Sequence, residues 1–214
     1  MTTVERLQTL YTRMYDRLGP QHWWPGETPF EVMVGAILTQ NTSWKNVERA
    51  IDNLKRVGLL SLEALSALPT GLLAEYIRPA GYYNIKAGRL HNLLTLINQE
   101  HSGDLQAFLG QALSPFREQL LSIKGIGPET ADSILLYAAN LPIFVVDTYT
   151  HRILTRHQVI DEDFGYHEIQ ELFMDNLACE TQLYNEYHAL LVRVGNVYCK
   201  KKNPDCAACP LQGL

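Results

Sequence analysis

A glycine-flanked turn is the first group of residues in this chain with the spacing to do chemistry. The turn consists of Lys124, Gly125, Ile126 and Gly127. Two glycines around one apolar residue let the backbone turn tightly and bring bare N–H groups close to a ligand. Pro128 suits the first turn of a helix, and a helix N-terminus carries partial positive charge and free N–H groups. The pattern predicts a binding site for the phosphates of a sugar–phosphate backbone.

Asp147 is the second such group. An aspartate followed by Thr-Tyr-Thr-His-Arg is a common helix N-cap, because its carboxylate accepts N–H groups of the first helical turn. A carboxylate can also stabilise developing positive charge and activate water, as in glycoside hydrolysis. The residues alone leave both roles open, and one side chain can serve both.

Several separate motifs, in order, resemble the endonuclease III (HhH-GPD) superfamily of DNA glycosylases. They are L-T-Q-N-T at 38–42, G-Y-Y-N-I-K-A at 81–87, L-x-x-K-G-I-G-P-E-T-A at 121–131 and V-V-D-T at 145–148. The resemblance runs from about Trp23 to Cys209. It implies an all-α, two-lobed helix-hairpin-helix fold with a C-terminal cysteine cluster loop. Residues 29–140 would form a helical barrel lobe with the hairpin, and residues 1–28 and 141–214 a second helical lobe.

The resemblance gives Asp147 the catalytic role: it would stabilise the charge that develops on deoxyribose C1′ and orient or deprotonate the attacking water. Bifunctional members carry a lysine at the position of Glu129, where the amine forms a Schiff base with C1′. A carboxylate cannot form an imine, and Lys124 lies before the turn. We therefore expect a monofunctional enzyme without efficient lyase activity. Glu129 would line the base pocket or simply complement the helix dipole.

The base pocket is expected from aromatic residues. The patterns W-W-P at 23–25, L-T-Q-N-T-x-aromatic at 38–44 and R-P-x-G-[FY]-Y-N-x-K-A at 78–87 resemble the bacterial 3-methyladenine glycosylase branch. In that branch the matching residues stack on the flipped base, which here gives Trp23, Trp24, Pro25 and Trp44. Indole faces attract cationic or electron-poor purines through cation–π and stacking interactions. Lone tryptophans more often pack in a core, which is the competing interpretation.

Two side chains are expected to handle the duplex. A base must leave the stack before its glycosidic bond can be reached, and the gap must then be filled. By resemblance, Gln40 fills the gap and Tyr82 wedges between bases of the opposite strand. The alternatives are an ordinary polar residue after a helix and an ordinary loop aromatic.

The cysteines indicate a metal or cluster site rather than disulfides. Cys199, Cys206 and Cys209 have the spacing C-x6-C-x2-C, which resembles the [4Fe–4S] loop of endonuclease III. A fourth thiolate, the rule for such clusters, is not present within residues 1–214 at the family spacing; zinc is the competing metal. Cys179 is expected to be buried in a helical context. The three lysines inside the loop are expected to contact phosphate: Lys200, Lys201 and Lys202.

The composition is compatible with a globular enzyme that acts on nucleic acid, but it does not by itself indicate one. The 214 residues are 46% hydrophobic and 19% charged, with 18 basic against 23 acidic residues and a net charge of −5. Phosphate binding needs local rather than global positive charge. No apolar run is long enough to span a bilayer, and no signal peptide is evident. We expect a cytoplasmic, nucleoid-associated monomer that acts on double-stranded DNA with a damaged base and has no membrane partner.

Helices predicted from apolar periodicity must position these groups. Apolar residues recur at helical spacing over 30–38, 47–54, 90–97, 131–138 and 169–173. Thr28-Pro29-Phe30-Glu31 predicts a capping box, and Ser61 and Ser114-Pro115 predict further helix starts. The β-branched run 143–146 has no partner strand, so we expect a buried connector.

The sequence therefore predicts a monofunctional DNA glycosylase of base excision repair, most consistent with an alkylated purine of the 3-methyladenine type. A glycosylase for oxidised pyrimidines, or for mismatched uracil or thymine, is the alternative within the same class. Two alternatives belong to other classes of protein: a non-catalytic DNA-binding iron–sulfur module and a protein-interaction scaffold. Retention of Asp147 beside the full hairpin disfavours the first of these, and the basic loop at 200–202 disfavours the second.

Overall fold

Helices account for all the regular structure in the described part of the chain. The computed structural model describes residues 1–23 and 26–214, and among them there is no β-strand. The helices are α1 (Thr3–Leu18), α2 (Pro29–Leu38), α3 (Trp44–Arg56), α4 (Leu62–Ala67), α5 (Thr70–Tyr76), α6 (Tyr83–His101), α7 (Leu105–Leu109), α8 (Leu113–Ser122), α9 (Pro128–Ser133), α10 (Thr148–Arg156), α11 (Tyr166–Met174) and α12 (Thr181–Val197). A 3₁₀ turn, Arg78–Ala80, precedes α6, and a π-helical segment, Ile134–Ala138, continues α9. The all-α prediction is confirmed.

The chain folds into two compact units. One combines Met1–Trp23 with Pro142–Leu214, and the other is Trp24–Leu141. The first unit contains α1 and α10–α12; the second contains α2–α9. No helix in the described residues has the length and apolar character needed to cross a membrane.

In the second unit, α6 is the central scaffold. It packs against α2, α4, α5, α7 and the 3₁₀ turn. The apolar residues that predicted it line its buried side: Leu90, Leu93, Leu94 and Ile97 are at most 1% exposed. Because α6 touches so many elements, side chains near its N-terminus are held in place by the packing of the whole unit.

The helices α8 and α9 and the turn between them form the helix-hairpin-helix. The two helices are joined by an ion pair in which Arg117 Nε lies 2.7 Å from Asp132 Oδ1 and Arg117 Nη2 lies 3.1 Å from Asp132 Oδ2. Asp132 is fully buried, so this two-point contact supplies the charge and hydrogen bonds that its carboxylate would otherwise lose. The ion pair therefore holds the two helices of the hairpin together.

In the first unit, α12 packs against α1 and α10. The connector Ile143–Val146 is buried, as predicted, and its Phe144 ring stacks on Phe173 with centroids 3.8 Å apart. The Gln170 amide donates to the Phe144 carbonyl (2.7 Å), so the buried backbone of this extended segment keeps a partner. The connector leads directly into Asp147 and α10.

The helix-start predictions have mixed outcomes. Ser61 caps α4 as expected, through the Ala64 N–H. Thr28 caps α2, but Glu31 does not complete the box, because its carboxylate instead accepts from the Glu27 N–H and pairs with Lys55. The prediction at Ser114-Pro115 is wrong: α8 begins at Leu113 with Ala112 as its N-cap, so both residues lie inside the first turn.

Candidate functional site

Asp147 lies where the buried connector ends and α10 begins. Its Oδ1 accepts a hydrogen bond from the Thr150 N–H (2.7 Å) and another from the Thr150 hydroxyl (2.9 Å). The predicted N-cap is therefore confirmed, and it uses only one carboxylate oxygen. The side chain is 10% exposed, so the carboxylate is shielded without being sealed off.

The second carboxylate oxygen faces a histidine that sequence reasoning missed. Asp147 Oδ2 lies 3.6 Å from His188 Nε2, beyond hydrogen-bond length but within ion-pair range. Burial by itself would raise the pKa of Asp147, but the nearby His188 imidazole and the two Thr150 donors outweigh it, and the pKa falls below its ordinary value. The group is therefore a carboxylate at neutral pH. His188 lies on the buried side of α12, and nothing in the sequence links it to Asp147.

A tyrosine in α10 fixes the approach of α12. The Tyr149 hydroxyl donates to Asn196 Oδ1 (2.6 Å), and its ring occupies the space that a β-carbon on Gly195 would need. Arg152 lies over the same ring, 5.0 Å from its centroid, and donates to the Gly195 and Cys199 carbonyls. The absent side chain at Gly195 thus allows the close helix contact that also brings His188 towards Asp147.

The hairpin turn presents its glycines and lysine to solvent. Lys124, Gly125 and Gly127 are exposed, whereas the Ile126 side chain is buried and anchors the turn. Gly125 has φ +97°, a left-handed conformation that favours glycine. The Ile126 N–H donates to the Ile123 carbonyl, so this N–H is already used within the turn. Any contribution of Ile126 to DNA binding would therefore come from anchoring the turn and not from a contact made by its side chain.

Gln40 is tied to this hairpin. Its Nε2 donates to Thr130 Oγ1 (2.8 Å) and to the Gly125 carbonyl (3.2 Å), and its Oε1 accepts from Arg89. The structure thus brings together two predicted DNA-contacting groups, Gln40 and the hairpin, through side-chain bonds that the sequence did not indicate.

Tyr82 precedes α6 and is 66% exposed, whereas Tyr15, another exposed aromatic side chain of the described residues, is 37% exposed. Its backbone is left-handed (φ 46°, ψ 30°), which costs a non-glycine residue about 1–2 kcal/mol. Strain of this kind in an exposed aromatic fits a side chain held ready for a partner.

The predicted base-pocket residues are divided between the two units. Trp23 belongs to the first unit and is half-buried; Trp44 begins α3 in the second unit and is also half-buried. Glu129 is exposed in the first turn of α9. Trp24 and Pro25 lie outside the described residues. The aromatic pocket therefore stays a prediction.

The cysteine loop brings its three thiols near one another without forming a ligand set from the described residues: burial, and then the nearby Cys199 and Cys206, raise the pKa of Cys209. Cys199 is buried and its sulfur accepts from Arg156 Nη1 (3.3 Å), while Cys206 is exposed and Cys209 half-buried. Among residues 1–23 and 26–214, no group of three or more potential metal-ligating side chains is placed to hold an ion. The donors present therefore do not fit an iron–sulfur cluster or zinc as they stand.

Arg156 organises the same loop. It also donates to the Lys200 carbonyl (2.7 Å) and to the Lys201 carbonyl (3.1 Å). The side chains of Lys200, Lys201 and Lys202 are exposed, so all three amines are accessible to a phosphate. Cys179 is exposed in the loop after α11, and its predicted burial in a helix is wrong, because the chain leaves the helix before reaching it.

Comparisons with known proteins agree on the family. Residues 34–179 match the family described as HhH-GPD superfamily base excision DNA repair protein. A provisionally named DNA repair glycosylase of Methanocaldococcus jannaschii is 47% identical over 209 residues, covering 97% of this chain and 94% of that protein. Endonuclease III of Sulfolobus acidocaldarius is 29% identical over 184 residues, covering 86% of this chain and 79% of that protein.

Solved structures give the same fold. The H. pylori 3-methyladenine DNA glycosylase bound to 1,N6-ethenoadenine superposes with a TM-score of 0.76 at 31% identity, covering 90% of this chain and 96% of that one. A trapped endonuclease III–DNA covalent intermediate superposes with a TM-score of 0.83 at 22% identity, covering 99% and 94%. The second likeness shows the fold alone.

Proposed function

This chain belongs to the HhH-GPD superfamily of base excision DNA repair proteins and is a DNA glycosylase of that superfamily, and we propose that it is monofunctional and acts on alkylated purines. In this proposal it hydrolyses the N-glycosidic bond of a damaged base in double-stranded DNA and leaves an abasic site. The observation that carries the proposed hydrolysis is the carboxylate of Asp147, ionised and partly accessible at the start of α10.

Asp147 would act on the sugar. As the base departs, positive charge develops on deoxyribose C1′, and a fixed carboxylate stabilises that charge without having to reorganise. Thr150 holds Oδ1, which leaves Oδ2 as the oxygen that can face the sugar or the attacking water. The cost of burying this charge is offset in advance by its hydrogen bonds and by His188.

The absence of lyase chemistry is proposed from the lysines. Glu129 stands where bifunctional members carry the Schiff-base lysine, and it is exposed at that position. Lys86 is 1% exposed, with its amine bonded to two carbonyls, so it is not available as a nucleophile. Lys124 is exposed and is the remaining amine of the hairpin. A borohydride-trapped adduct that disappears in Lys124→Ala would refute the monofunctional assignment.

The substrate proposal follows the tryptophans and the similarity to the 3-methyladenine glycosylase. Alkylated purines are good leaving groups, so a carboxylate and an aromatic slot suffice, without strong protonation of the base. The similarity to endonuclease III supports the second candidate, an altered pyrimidine such as an oxidised base or mismatched uracil or thymine.

Base release from a panel of duplexes tests the proposal. The duplexes carry 3-methyladenine, 7-methylguanine, hypoxanthine, uracil opposite guanine, or thymine glycol, and released bases are separated chromatographically. We expect release of the alkylated purines and uncut abasic strands, with Asp147→Asn as the blank for contaminating glycosylases. Release confined to uracil or thymine glycol would assign the second candidate, and release of none would overturn the glycosylase chemistry proposed for Asp147.

An iron–sulfur cluster stays a separate prediction. The cysteines as arranged do not fit it, and the proposed hydrolysis needs no redox group. Iron and sulfide analysis of protein purified without oxygen tests it directly; absence of both, with base release intact, would refute the cluster.

A further inference from the structure

Lys86 is a buried lysine whose partners are backbone carbonyls. It lies in the first turns of α6 and is 1% exposed, and its Nζ donates to the Leu38 carbonyl and to the Ala80 carbonyl, both at 2.8 Å. A buried ammonium is costly unless it is well hydrogen-bonded. Burial, and then the charge of Arg89, lower the pKa of Lys86 to about 8. A leucine or methionine would fill the same space without this cost, so the charge and donors have some other use.

The two carbonyls occupy equivalent points in two loops. Leu38 is the last residue of α2, two residues before Gln40. Ala80 is the last residue of the 3₁₀ turn, two residues before Tyr82. A helix end leaves carbonyls without intrahelical partners and carries partial negative charge, which suits a cation. One ammonium therefore holds together the starting points of both loops.

Both loops contain a non-glycine residue with left-handed backbone just beyond the clamped carbonyl. Asn41 has φ 53° and Tyr82 has φ 46°, and neither is glycine. Asparagine adopts this conformation readily, whereas for tyrosine it persists only where the surroundings enforce it. The Lys86 N–H also donates to the Tyr82 carbonyl (3.0 Å) as the first hydrogen bond of α6, so the ammonium bond to the Ala80 carbonyl is the contact that depends on lysine.

The same face of α6 extends the connection to the hairpin. Arg89 lies one turn beyond Lys86, donates to Gln40 Oε1 and packs so closely on Gly125 that a β-carbon there would overlap it. Gln40 in turn donates to the Gly125 carbonyl. Lys86 thus sets the backbone of the two loops, while Arg89 sets the Gln40 side chain against the hairpin.

We propose that Lys86 is a positioning residue that fixes the spacing between the Gln40 loop and the Tyr82 loop, so that both side chains enter a duplex in register. This proposal rests on the proposed function for the roles of Gln40 and Tyr82. Lys86 itself touches neither DNA nor the reacting atoms. A misplacement of about 1 Å in a catalytic arrangement can cost about 100-fold in rate, so loss of the clamp should be felt most where the duplex must be opened.

The test compares paired and unpaired lesions in Lys86→Met, which keeps the stem and loses the donors, and in Lys86→Gln, which keeps one donor group. Leu94→Ala is the matched control, because Leu94 is buried in the same helix, eight residues beyond Lys86, and its truncation lowers stability while Lys86 keeps both of its carbonyl bonds. Single-turnover base release is measured on one lesion in a full duplex and in a single strand. We expect Lys86→Met to lose about 10- to 100-fold on the duplex and less than about threefold on the single strand, with Lys86→Gln between it and wild type.

Equal losses on both substrates, or a duplex loss no greater than that of Leu94→Ala, would overturn the proposal, because a merely structural lysine would behave in that way. A second readout needs no catalysis: fluorescence of 2-aminopurine beside the lesion reports unstacking. Unstacking by wild type but not by Lys86→Met supports the clamp even if no panel base is released, in which case only the glycosylase chemistry fails. If wild-type protein binds the duplex without unstacking it, the clamp proposal itself is wrong.

Discussion

Replacing Asp147 by asparagine separates the two jobs of this residue. The carboxylate caps α10 through Oδ1, and its Oδ2, which lies 3.6 Å from His188 Nε2, is the oxygen proposed to act on the sugar. Asparagine is an N-cap of similar quality, since its amide oxygen can accept from Thr150 in the same way. The substitution therefore removes the negative charge while keeping the helix start.

The expected magnitudes differ widely. Because the cap is retained, the free energy of unfolding should change by less than about 1 kcal/mol. A carboxylate about 4 Å from a full positive charge contributes about 4 kcal/mol at the effective dielectric constant of a partly buried site. Asp147 is 10% exposed, so that dielectric constant suits it better than the value for water. Since each 1.36 kcal/mol is tenfold in rate, Asp147→Asn should slow base release about 1,000-fold.

Three measurements on one preparation make the test decisive: single-turnover base release, affinity for the same duplex, and urea unfolding. Asp161→Asn is the matched control, because it removes an exposed carboxylate of the same unit. We expect unchanged DNA affinity and stability with lost base release in Asp147→Asn, and wild-type behaviour in the control. A well-folded Asp147→Asn protein within tenfold of the wild-type rate would refute the electrostatic role of Asp147.

Three further predictions concern buried charge. Arg117→Met leaves the fully buried Asp132 without its two-point partner, so urea unfolding should show about 3–5 kcal/mol less stability; a loss below about 1 kcal/mol would contradict this. The lowered pKa of Asp147 keeps its stabilising contribution complete above the ordinary aspartate pKa of about 3.9 and loses it as pH falls through the lower folded value. His188 is the largest of the causes that lower the pKa of Asp147 against the effect of burial. In His188→Ala the pKa of Asp147 should therefore rise and the acid limb of kcat/KM should move to higher pH. An unmoved limb would exclude His188 from controlling Asp147. For Lys86, the folded pKa of about 8 lies below the unfolded 10.5, so the unfolded chain binds more protons between these values. The stability of wild type relative to Lys86→Met should therefore rise with pH across that window, by at most about 1.4 kcal/mol per pH unit, and a flat difference in denaturation curves would refute the shifted pKa.

The features predicted correctly from sequence are those encoded by neighbours in the chain. Apolar spacing predicted the helices around 30–38, 47–54, 90–97 and 169–173, because a helix face repeats every three to four residues whatever the helix packs against. At 131–138 it predicted a helical segment but not that Ile134–Ala138 would be π-helical. The cap at Ser61 and the N-cap role of Asp147 are equally local. The run at 143–146 is apolar and β-branched, which favours burial, and it has no partner strand, which excludes a sheet. These two local facts predicted a buried connector.

Errors arose where a local pattern had a competing long-range partner. Glu31 was expected to complete a capping box, but Lys55 on α3 takes its carboxylate. The cluster predicted from the spacing of Cys199, Cys206 and Cys209 is not such an error and stays a prediction: Arg156 bonds the first of these sulfurs, and the described side chains form no complete ligand set. Sequence spacing records which donors are present, and only folding decides what each one contacts.

By itself, then, the sequence determined that this is an all-helical protein with the hairpin and aspartate motifs of a DNA glycosylase. Tertiary structure alone decided what surrounds those motifs: His188 from α12 beside Asp147, and Lys86 beneath the Gln40 and Tyr82 loops. The physical reason is distance along the chain. Helix formation and capping depend on residues within one or two turns, whereas a buried charge is stabilised by whichever dipoles the packing of remote elements brings within a few ångströms.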